Sequence, residues 1–276
     1  MNLNLDAVKN YKVLVVGDAI YDRYVFVSPL GKSIKETVIS VAYEREETYK
    51  GGVWAAAAHL KTLCAQVDVL HGERAMINTR YVESIYNRKL FTLHEATTRP
   101  VEECAPMREY DVVIVCDFGH GTMSRELIAR VTKEARFLAV NAQTNSQNYG
   151  FNLITKYRRA DFVVIDEIEA RLAAHDKESP IEEVILALGF KKIIVTMGAH
   201  GAVGFDGEFY RAKAQVDEVI DTMGAGDAFL CVAAPYACAM FGIKDLVRIG
   251  NAAGAIKVRM LGHRGSVTKD ELEKHL

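Results

Sequence analysis

Short apolar runs alternate with longer stretches of helical periodicity along most of the chain. The apolar runs are KVLVVGD (12–18), VDVL (67–70), DVVIVCD (111–117), RFLAVN (136–141), DFVVID (161–166) and KKIIVTMG (191–198). The helical stretches between them include VWAAAAHLKTL (53–63), SRELIARVTKEA (124–135) and PIEEVILALG (180–189). Continuous apolar strands joined by helices are typical of a parallel sheet covered on both faces. The pattern predicts an α/β fold with a doubly wound, mostly parallel sheet and helices on both faces.

Two segments break this rhythm. VFVSPLGKSIKETVISVAYEREETYKGG (25–52) and TRYVESIYNRKLFTLHEA (79–96) alternate β-branched, aromatic and charged residues without a helical period. They predict a small antiparallel excursion that forms a β lid at about residues 25–50 and 79–96. We find no internal repeat and no Pro/Ser-rich linker, so we expect a single domain over residues 1–276.

The composition fits a chain with one large core and argues against two classes of partner. Half of the 276 residues are apolar, a quarter are charged, and the net charge is −2. This charge gives no basic surface for nucleic acid. The sequence has no uncharged stretch of membrane-spanning length, and its amino end lacks the layout of a signal peptide. We expect a cytoplasmic protein without nucleic-acid or membrane partners.

The cysteines give a further indication of the compartment. The five cysteines are Cys64, Cys104, Cys116, Cys231 and Cys238. They are scattered without a CxxC pair and mostly lie in apolar runs, which predicts buried thiols in a reducing compartment.

Polar residues close several of the predicted strands. They are Asp18, Asp117, Asn141 and Asp166. Ligands of doubly wound sheets bind at the carboxyl ends of the strands, so these side chains predict one site at that edge of the sheet.

The stretch DTMGAGDAF (221–229) places three small residues between two aspartates. VDEVID (216–221) before it reads as a strand, and the apolar DAFLCVAAPYACAMFGI (227–243) after it reads as a buried helix. Gly224, Ala225 and Gly226 would then form the turn into that helix. Unpaired N–H groups and the helix dipole favour a bound phosphate there. The segment predicts an anion-binding site.

Asp227 falls in the first turn of this predicted helix. A carboxylate there can simply match the positive end of the helix dipole. Beside an anion hole it can also accept the proton of a hydroxyl that attacks the bound phosphoryl group, as phosphoryl transfer requires. We favour the general-base interpretation because the small residues before Asp227 form such a hole.

These residues resemble the ribokinase-like, or PfkB, carbohydrate kinases, whose carboxyl-terminal signature is DTxGAGD. Further matches follow in the family's order: VVGDAIYD (15–22), GGVWAAAAHL (51–60), VIDEIEA (164–170), VTMGAHG (195–201), NAAGA (251–255) and GSVT (265–268). The resemblance covers most of the chain. It implies a ribokinase-like fold and transfer of the γ-phosphate of MgATP to a sugar hydroxyl, with Asp227 as the base.

On the sugar side, the resemblance implies that Asp22 holds sugar hydroxyls and that Gly51 and Gly52 pack a helix against the sugar pocket. The strand-end residues expected near the same substrate are Asp18, Asp117 and Asn141.

The sugar side also departs from the family pattern. Ala55 replaces a usual asparagine, and His120 replaces a usual lysine, where it is either a pocket residue or a turn residue. Asn141 and Gln143 replace a charged strand end. Because they are neutral, they would read hydroxyls, which weighs against a phosphorylated substrate.

On the nucleotide side, the resemblance implies that Glu169 organises Mg²⁺ and phosphates through water, with Asp166 in place of the family's asparagine. The other expected nucleotide contacts are Thr196, Gly198 and Gly201 in a loop, Asn251 and Gly254 on a helix, and Ser266 in a closing strand. Asp221 and Thr222 match positions that bind a monovalent cation in many relatives, which implies a K⁺ site. Mg²⁺ is expected to arrive mainly with the nucleotide.

Within the family, GKSIKETVIS (31–40) and TRYVESIYNRKLF (79–91) resemble the kinase domain of the bifunctional heptose-phosphate kinase/adenylyltransferases. This implies that Glu36 and Arg80 contact a sugar or sugar phosphate. The resemblance also implies a homodimer and a nucleotidyltransferase partner domain. Two alternatives stay open: a degenerate kinase fold that senses a nucleotide or sugar, and the kinase half of a larger nucleotide-sugar enzyme.

Overall fold

Eight strands form the central sheet of the computed structural model, which describes residues 3–95, 99–101 and 106–276. Numbered along the chain, these strands are β1 (Lys12–Gly17), β4 (Gln66–Leu70), β7 (Val112–Asp117), β8 (Leu138–Ala142), β9 (Phe162–Asp166), β10 (Ile193–Thr196), β11 (Ala202–Phe205) and β12 (Phe209–Ala212). Their order is β12-β11-β10-β9-β8-β7-β1-β4. Neighbours from β10 to β4 pair in parallel, and β11 and β12 pair antiparallel. The predicted mostly parallel sheet is confirmed.

Helices cover both faces of this sheet. In the described part of the chain the α-helices are α1 (Val53–Ala58), α2 (Arg125–Glu134), α3 (Glu167–Ala174), α4 (Ile181–Leu188), α5 (Ala225–Cys238), α6 (Ile243–Lys257) and α7 (Lys269–His275). Alternate residues of β1 separate the two cores. Val13 and Val15 pack with α1, α5 and α6, whereas Leu14 and Val16 pack with α2, α3 and α4. This alternation is the period of a strand buried on both sides, which confirms the doubly wound arrangement.

The two segments without helical periodicity form a second sheet, which we call the lid sheet. Its strands are β2 (Ala19–Lys32), β3 (Ile39–Gly52), β5 (Met76–Glu83) and β6 (Arg88–Glu95), in the order β3-β2-β5-β6. The structure differs from the sequence-based expectation in two ways. The sheet begins at Ala19 rather than near residue 25, and β2 pairs with β5 in parallel, so the sheet is mixed. Position 96 of the predicted lid lies outside the described residues.

Two predicted strands are absent from the described residues. VDEVID (216–221) is an irregular segment, because the backbone N–H groups of Ile220 and Asp221 both donate to Val258 O, at 2.8 and 3.1 Å, instead of to a strand. GSVT (265–268) is also irregular. The N–H of Val267 donates to the ring Nδ1 of His59 at 2.9 Å, which ties this segment to the end of α1.

The described thiols agree with the expected reduced state. Cys64, Cys116 and Cys231 are buried and Cys238 is half-buried, all as free thiols. Cys104 lies outside the described residues. Within the described ranges, the structure contains no helix with both the length and the apolar character needed to cross a membrane.

Candidate active site

The start of α5 forms the centre of the site. Gly224 is the N-cap residue and has φ 74°, a left-handed conformation that glycine adopts without strain. It has no side chain to cap the helix, so the first-turn N–H groups face outward from the helix end. Asp227, in the first turn, is only 8% exposed. The sequence thus builds a carboxylate and an anion-binding helix end side by side.

Two cavities meet at this helix end. The larger has a volume of about 670 Å³ and the smaller about 220 Å³. Gln143, Met223, Gly224 and Asp227 line both of them. Asp227 therefore lies where a molecule in one cavity would contact a molecule in the other.

The larger cavity gathers most of the residues predicted to contact a nucleotide. Those that line it are Asp166, Glu169, Thr196, Gly198, Gly201, Asn251 and Gly254, together with Thr222, Ala225 and Gly226. Apolar side chains such as Val164, Val219 and Phe229 complete its walls. Ser266 does not line this cavity, because its segment runs beside α1 rather than as a closing strand.

Asn141 also lines the larger cavity and not the smaller one. Its side-chain Nδ2 donates to Val164 O at 2.9 Å, and its buried Oδ1 has no partner among the described residues. Asn141 therefore lies apart from the other residues predicted to contact the sugar, and its sugar contact stays a prediction. The neutral side chains of Asn141 and Gln143 were expected to weigh against a phosphorylated substrate, but only Gln143 lines the smaller cavity, where the sugar is expected. Asn141 therefore no longer supports that expectation.

Asp166 and Glu169 form a capping box at the start of α3. Asp166 Oδ1 accepts from the N–H of Glu169 at 2.7 Å, and Glu169 Oε2 accepts from the N–H of Asp166 at 2.9 Å. The other carboxylate oxygen, Oε1, accepts from the N–H of Thr144 at 2.8 Å. Burial, aided by the charge of Asp166, raises the pKa of Glu169 to about 8 despite these hydrogen bonds. The box fixes Glu169 at the cavity wall.

The smaller cavity lies between the lid sheet and α5. The predicted residues Asp22, Gly52, Arg80 and His120 line it, and so do Asn78, His94 and His263, which the sequence did not suggest. Asp22, Asn78 and His94 lie opposite one another on β2, β5 and β6, so they project from one face of the lid sheet. The Nδ1 atom of His94 lies 2.7 Å from Asn78 Oδ1. The lid strands thus present a polar row to the cavity.

Asp22 is held from two sides. Arg80 donates to its Oδ1, and His263 Nε2 lies 3.1 Å from its Oδ2. Burial alone would raise the pKa of Asp22, but the hydrogen bonds from His263 and Arg80 and their charges hold it below its usual value. A Cβ on Gly51 would overlap Asp22 Oδ2, so glycine is required there for the carboxylate to reach His263.

Asp18 and Asp117 line neither of these two cavities, so the cavity walls lend no support to their predicted substrate contact. Both are fully buried. Asp18 accepts from the N–H groups of His120 and Thr122, at 3.2 and 3.0 Å, and Asp117 accepts from the N–H of Gly119 at 3.1 Å. Their carboxylates therefore shape the loop after β7, which brings His120 to the smaller cavity. His120 is thus both a turn residue and a cavity residue.

Glu36 also lies away from both cavities. It is an exposed residue of the turn between β2 and β3, and its N–H donates weakly to Ser33 Oγ at 3.4 Å. Within one chain, the geometry gives it no contact with a molecule in either cavity.

Two basic groups, His263 and Lys257, lie near enough to Asp227 for their charges to act on it. Burial raises the pKa of Asp227 to about 6, and the charges of His263 and Lys257 oppose that rise. Lys257 is fully buried, and His263 is nearly so. Arg80 is paired with Asp22, which lines the same smaller cavity as Asp227. No motif in the sequence points to His263 or Lys257, because each acquires a role only when the end of α6 and the loop after it pack against Gly224 and Asp22.

Among the described residues there is no cluster of three or more His, Cys, Asp or Glu side chains that could hold a metal ion. A divalent ion at this site would therefore need oxygens from a bound phosphate in addition to those of the protein. Glu169, the predicted partner for such an ion, is at the wall of the larger cavity.

The comparison with known families is consistent with this geometry. Residues 126–270, more than half of the chain, match the model described as pfkB family carbohydrate kinase. The chain belongs to this family. The resemblance inferred from DTMGAGDAF and its companion motifs is confirmed.

Curated relatives of this pfkB-family chain include two proteins named Bifunctional protein HldE. The one from Campylobacter curvus is 23% identical over 297 residues, which cover 92% of the chain and 63% of the relative. The one from Hydrogenovibrio crunogenus is 23% identical over 316 residues, which cover 99% of the chain and 64% of the relative. The chain therefore spans less than two thirds of the length of these relatives.

Solved structures of the pfkB-like fold superpose over nearly the whole chain. Ribokinase from Thermotoga maritima gives a TM-score of 0.76 at 16% identity and covers 96% of this chain and 99% of its own. Arabidopsis thaliana ribokinase, solved with ribose and ATP, gives a TM-score of 0.72 at 16% identity, with coverage of 96% and 98%. These likenesses confirm the ribokinase-like fold.

Proposed function

We propose that this carbohydrate kinase transfers the γ-phosphate of ATP to a hydroxyl of a sugar or sugar phosphate, with Asp227 as the general base. The observation that carries the proposal is the shared wall of the two cavities. Asp227 and Gly224 line both, so a carboxylate and a helix N-terminus meet at the one place where a nucleotide and a sugar would touch.

The larger cavity suits ATP. Its volume of about 670 Å³ lies in the range of small-molecule sites, and its apolar walls suit an adenine ring. At one end, the Gly224 to Asp227 turn offers backbone N–H groups and the positive end of a 14-residue helix to the phosphates. Mg²⁺ that arrives with the nucleotide would neutralise charge on the phosphate oxygens, and we propose that Glu169, at the wall of this cavity, binds waters of that ion.

The transfer step uses the chain's own groups as follows. Asp227 accepts the proton of the sugar hydroxyl as the hydroxyl oxygen forms its bond to the γ-phosphorus. The bond between that phosphorus and the bridging oxygen breaks, and ADP leaves with the electron pair. The N–H groups at the start of α5 neutralise the charge that grows on the transferred group. A pKa of about 6 leaves Asp227 ionised, and so able to accept a proton, at neutral pH.

The smaller cavity indicates the chemistry of the acceptor. Asp22 and Asn78 offer an acceptor and an amide for sugar hydroxyls. Arg80, His94 and His120 add basic groups to the same cavity. Arg80 is paired with Asp22, and burial lowers the pKa of His120, so these side chains act mainly as N–H donors. We propose that these donors favour a sugar that already carries a phosphate or carboxylate over a neutral one.

We also propose that the protein works as a homodimer through its lid sheet. On β6, His94 lines the cavity, so Phe91 and Leu93, which alternate with it along the strand, project from the opposite face, where they are 57% and 48% exposed. Phe91 stacks on Tyr81, with 4.5 Å between the ring centroids. An exposed apolar surface on a lid suits a second copy of the same chain.

The relatives named bifunctional proteins support one extension of the proposal. The chain matches 63 to 64% of the length of such relatives. We propose that it supplies the kinase step of a two-step route in which a nucleotidyltransferase uses the phosphorylated sugar.

The proposed activity is tested by incubating the protein with MgATP and a panel of neutral sugars, sugar phosphates and sugar acids while ADP release is followed. We expect turnover on at least one acceptor and preference for a charged one. ADP release that no acceptor stimulates, with nucleotide binding intact, would instead indicate a sensor.

A further inference from the structure

The corner of the site that sequence resemblance assigns to K⁺ is built from Asp221, Thr222 and the loop after α6. Asp221 Oδ1 accepts from the N–H of Met223 at 3.2 Å, and Oδ2 accepts from the N–H of Gly262 at 3.1 Å. The carbonyl of Gly262 accepts from Lys257 Nζ at 2.6 Å. A monovalent cation needs several oxygens that face it, but here each of these oxygens already accepts a hydrogen bond, and the Lys257 ammonium group in the same corner would repel a second cation. The residues present do not fit K⁺.

Lys257 brings its own positive charge to this corner. It is the last residue of α6, and its side chain is fully buried. Its Cε lies 3.3 Å from where a Cβ of Gly224 would stand, so the ammonium group lies directly behind the turn that precedes Asp227. The charges of Asp221 and Asp227 both favour the ammonium form, although burial lowers the pKa of the lysine overall.

A buried lysine is costly unless its charge is compensated, so its position requires a reason. One reason is structural, since a cation at the end of a helix matches the helix dipole and fixes the loop at Gly262. That reason does not explain why the lysine side chain also packs against Gly224, because a hydrogen bond to Gly262 alone would not require this contact. The lysine side chain lies against both Gly262 and the Gly224 turn, and the charges of the carboxylates on either side of that turn, Asp221 and Asp227, act on it.

We propose that Lys257 is a built-in cation that replaces a bound monovalent ion beside the anion-binding turn of this kinase. The ammonium group holds Asp221 and the Gly262 loop in place and adds positive potential behind Gly224. The part of this inference that concerns phosphate rests on the proposed kinase function. The part that concerns cation replacement does not, because it follows from the contacts of Lys257 alone.

The first test compares wild type, Lys257→Ala and Lys257→Met in KCl and in choline chloride at equal ionic strength, without nucleotide. We expect the wild-type melting temperature to be the same in both salts. Lys257→Ala, which opens space and exposes oxygens, should melt at a higher temperature in KCl than in choline chloride. Lys257→Met fills that space without charge and should gain no K⁺ dependence. A wild-type melting temperature that is higher in KCl than in choline chloride would overturn the proposal. This comparison uses only the wild type, so it does not depend on whether the variants fold.

The second test measures MgADP affinity by calorimetry in the same salts. We expect wild-type affinity to differ by less than about twofold between salts, and Lys257→Met to bind about tenfold more weakly, as loss of one charge interaction predicts. Wild-type affinity for Lys257→Met, or K⁺-dependent binding by the wild type, would overturn the role of Lys257 at the phosphate. If wild type binds no nucleotide in either salt, the proposed kinase function fails, while the melting comparison still decides whether Lys257 replaces the cation.

Discussion

His263 Nε2 lies 3.1 Å from Asp22 Oδ2, and the two side chains are only 7% and 4% exposed. The other ring nitrogen, Nδ1, is buried and has no hydrogen-bond partner among the described residues. The ring edge that carries it lies against the Gly224 turn, since Cε1 would be 3.4 Å from a Cβ there. His263 thus orients the proposed sugar anchor with one nitrogen and turns the other toward the reacting groups.

This relationship predicts how His263 variants behave. Replacing His263 with Leu removes the Asp22 contact and should lower kcat/KM for the sugar about 10- to 100-fold, the cost of one lost hydrogen bond to a charged group. His263→Gln, whose amide can still donate to Asp22, should recover much of that loss. Steady-state kinetics on both variants checks the prediction. Equal losses in the two would mean that the ring has a purely structural role.

A substitution at Gly51 tests whether the Asp22 carboxylate needs the space that the glycine leaves open. A Cβ at this position overlaps Asp22 Oδ2 and comes within 3.1 Å of His263 Nε2. Gly51→Ala should therefore displace the carboxylate and lower activity about 100-fold, as small misplacements at reaction centres do. Gly242→Ala is the matched control, because its Cβ would meet nothing within 4 Å and its φ is −73°. Activity that survives in Gly51→Ala would contradict the assignment of Asp22.

Burial of the Asp227 carboxylate is expected to lower the free energy of unfolding at neutral pH. Its folded pKa of about 6 lies above the ordinary aspartate value of 3.8, so the folded protein binds this proton more tightly than the unfolded chain. Folding with the ionised group therefore costs about 3 kcal/mol above pH 6, and the cost disappears as the pH falls toward 4. Asp227→Asn should be more stable than wild type at pH 8 and lose that advantage near pH 4. Urea unfolding at both pH values measures this difference. A difference that does not change with pH would mean that folding leaves the pKa of Asp227 at its ordinary value, which would contradict the burial of its charge.

The lid sheet predicts an association that one surface charge can disrupt. Leu93→Lys places an ammonium group on the exposed lid face and should shift a dimer toward monomer in light scattering. Leu186→Lys on α4 is the control, since Leu186 is 54% exposed and lies away from the lid. A wild type that is monomeric at high concentration would contradict the proposed homodimer.

The strands and the anion-binding turn could be predicted because both depend on neighbouring residues. Apolar runs such as that of β7 indicate a strand buried on both faces. In DTMGAGDAF, the residues of the turn directly precede Asp227 in the sequence. The strand predicted at VDEVID is wrong. Its alternation of apolar and polar residues is typical of a strand, but the N–H groups of Ile220 and Asp221 donate to Val258 O. This hydrogen-bond partner is distant in sequence, so the local pattern does not indicate it.

The roles of several site residues also depend on contacts with residues that are distant in sequence. Asp18 and Asp22 both follow β1 and look alike in sequence, yet Asp18 binds backbone N–H groups of a loop and Asp22 lines a cavity. His263 and Lys257 carry no local motif. They matter because the chain after α6 returns to the lid and to Gly224, a relationship that only the folded structure contains.

The central claim is that Asp227, at the meeting point of the two cavities, takes the proton from the acceptor hydroxyl. The most direct test measures kcat for wild type and Asp227→Asn on the best acceptor found in the substrate panel, with MgADP affinity as the check on folding. We predict a fall in kcat of about 10²- to 10⁴-fold for the variant, with nucleotide affinity retained, as loss of a general base requires. An Asp227→Asn protein that turns over at the wild-type rate would contradict the account.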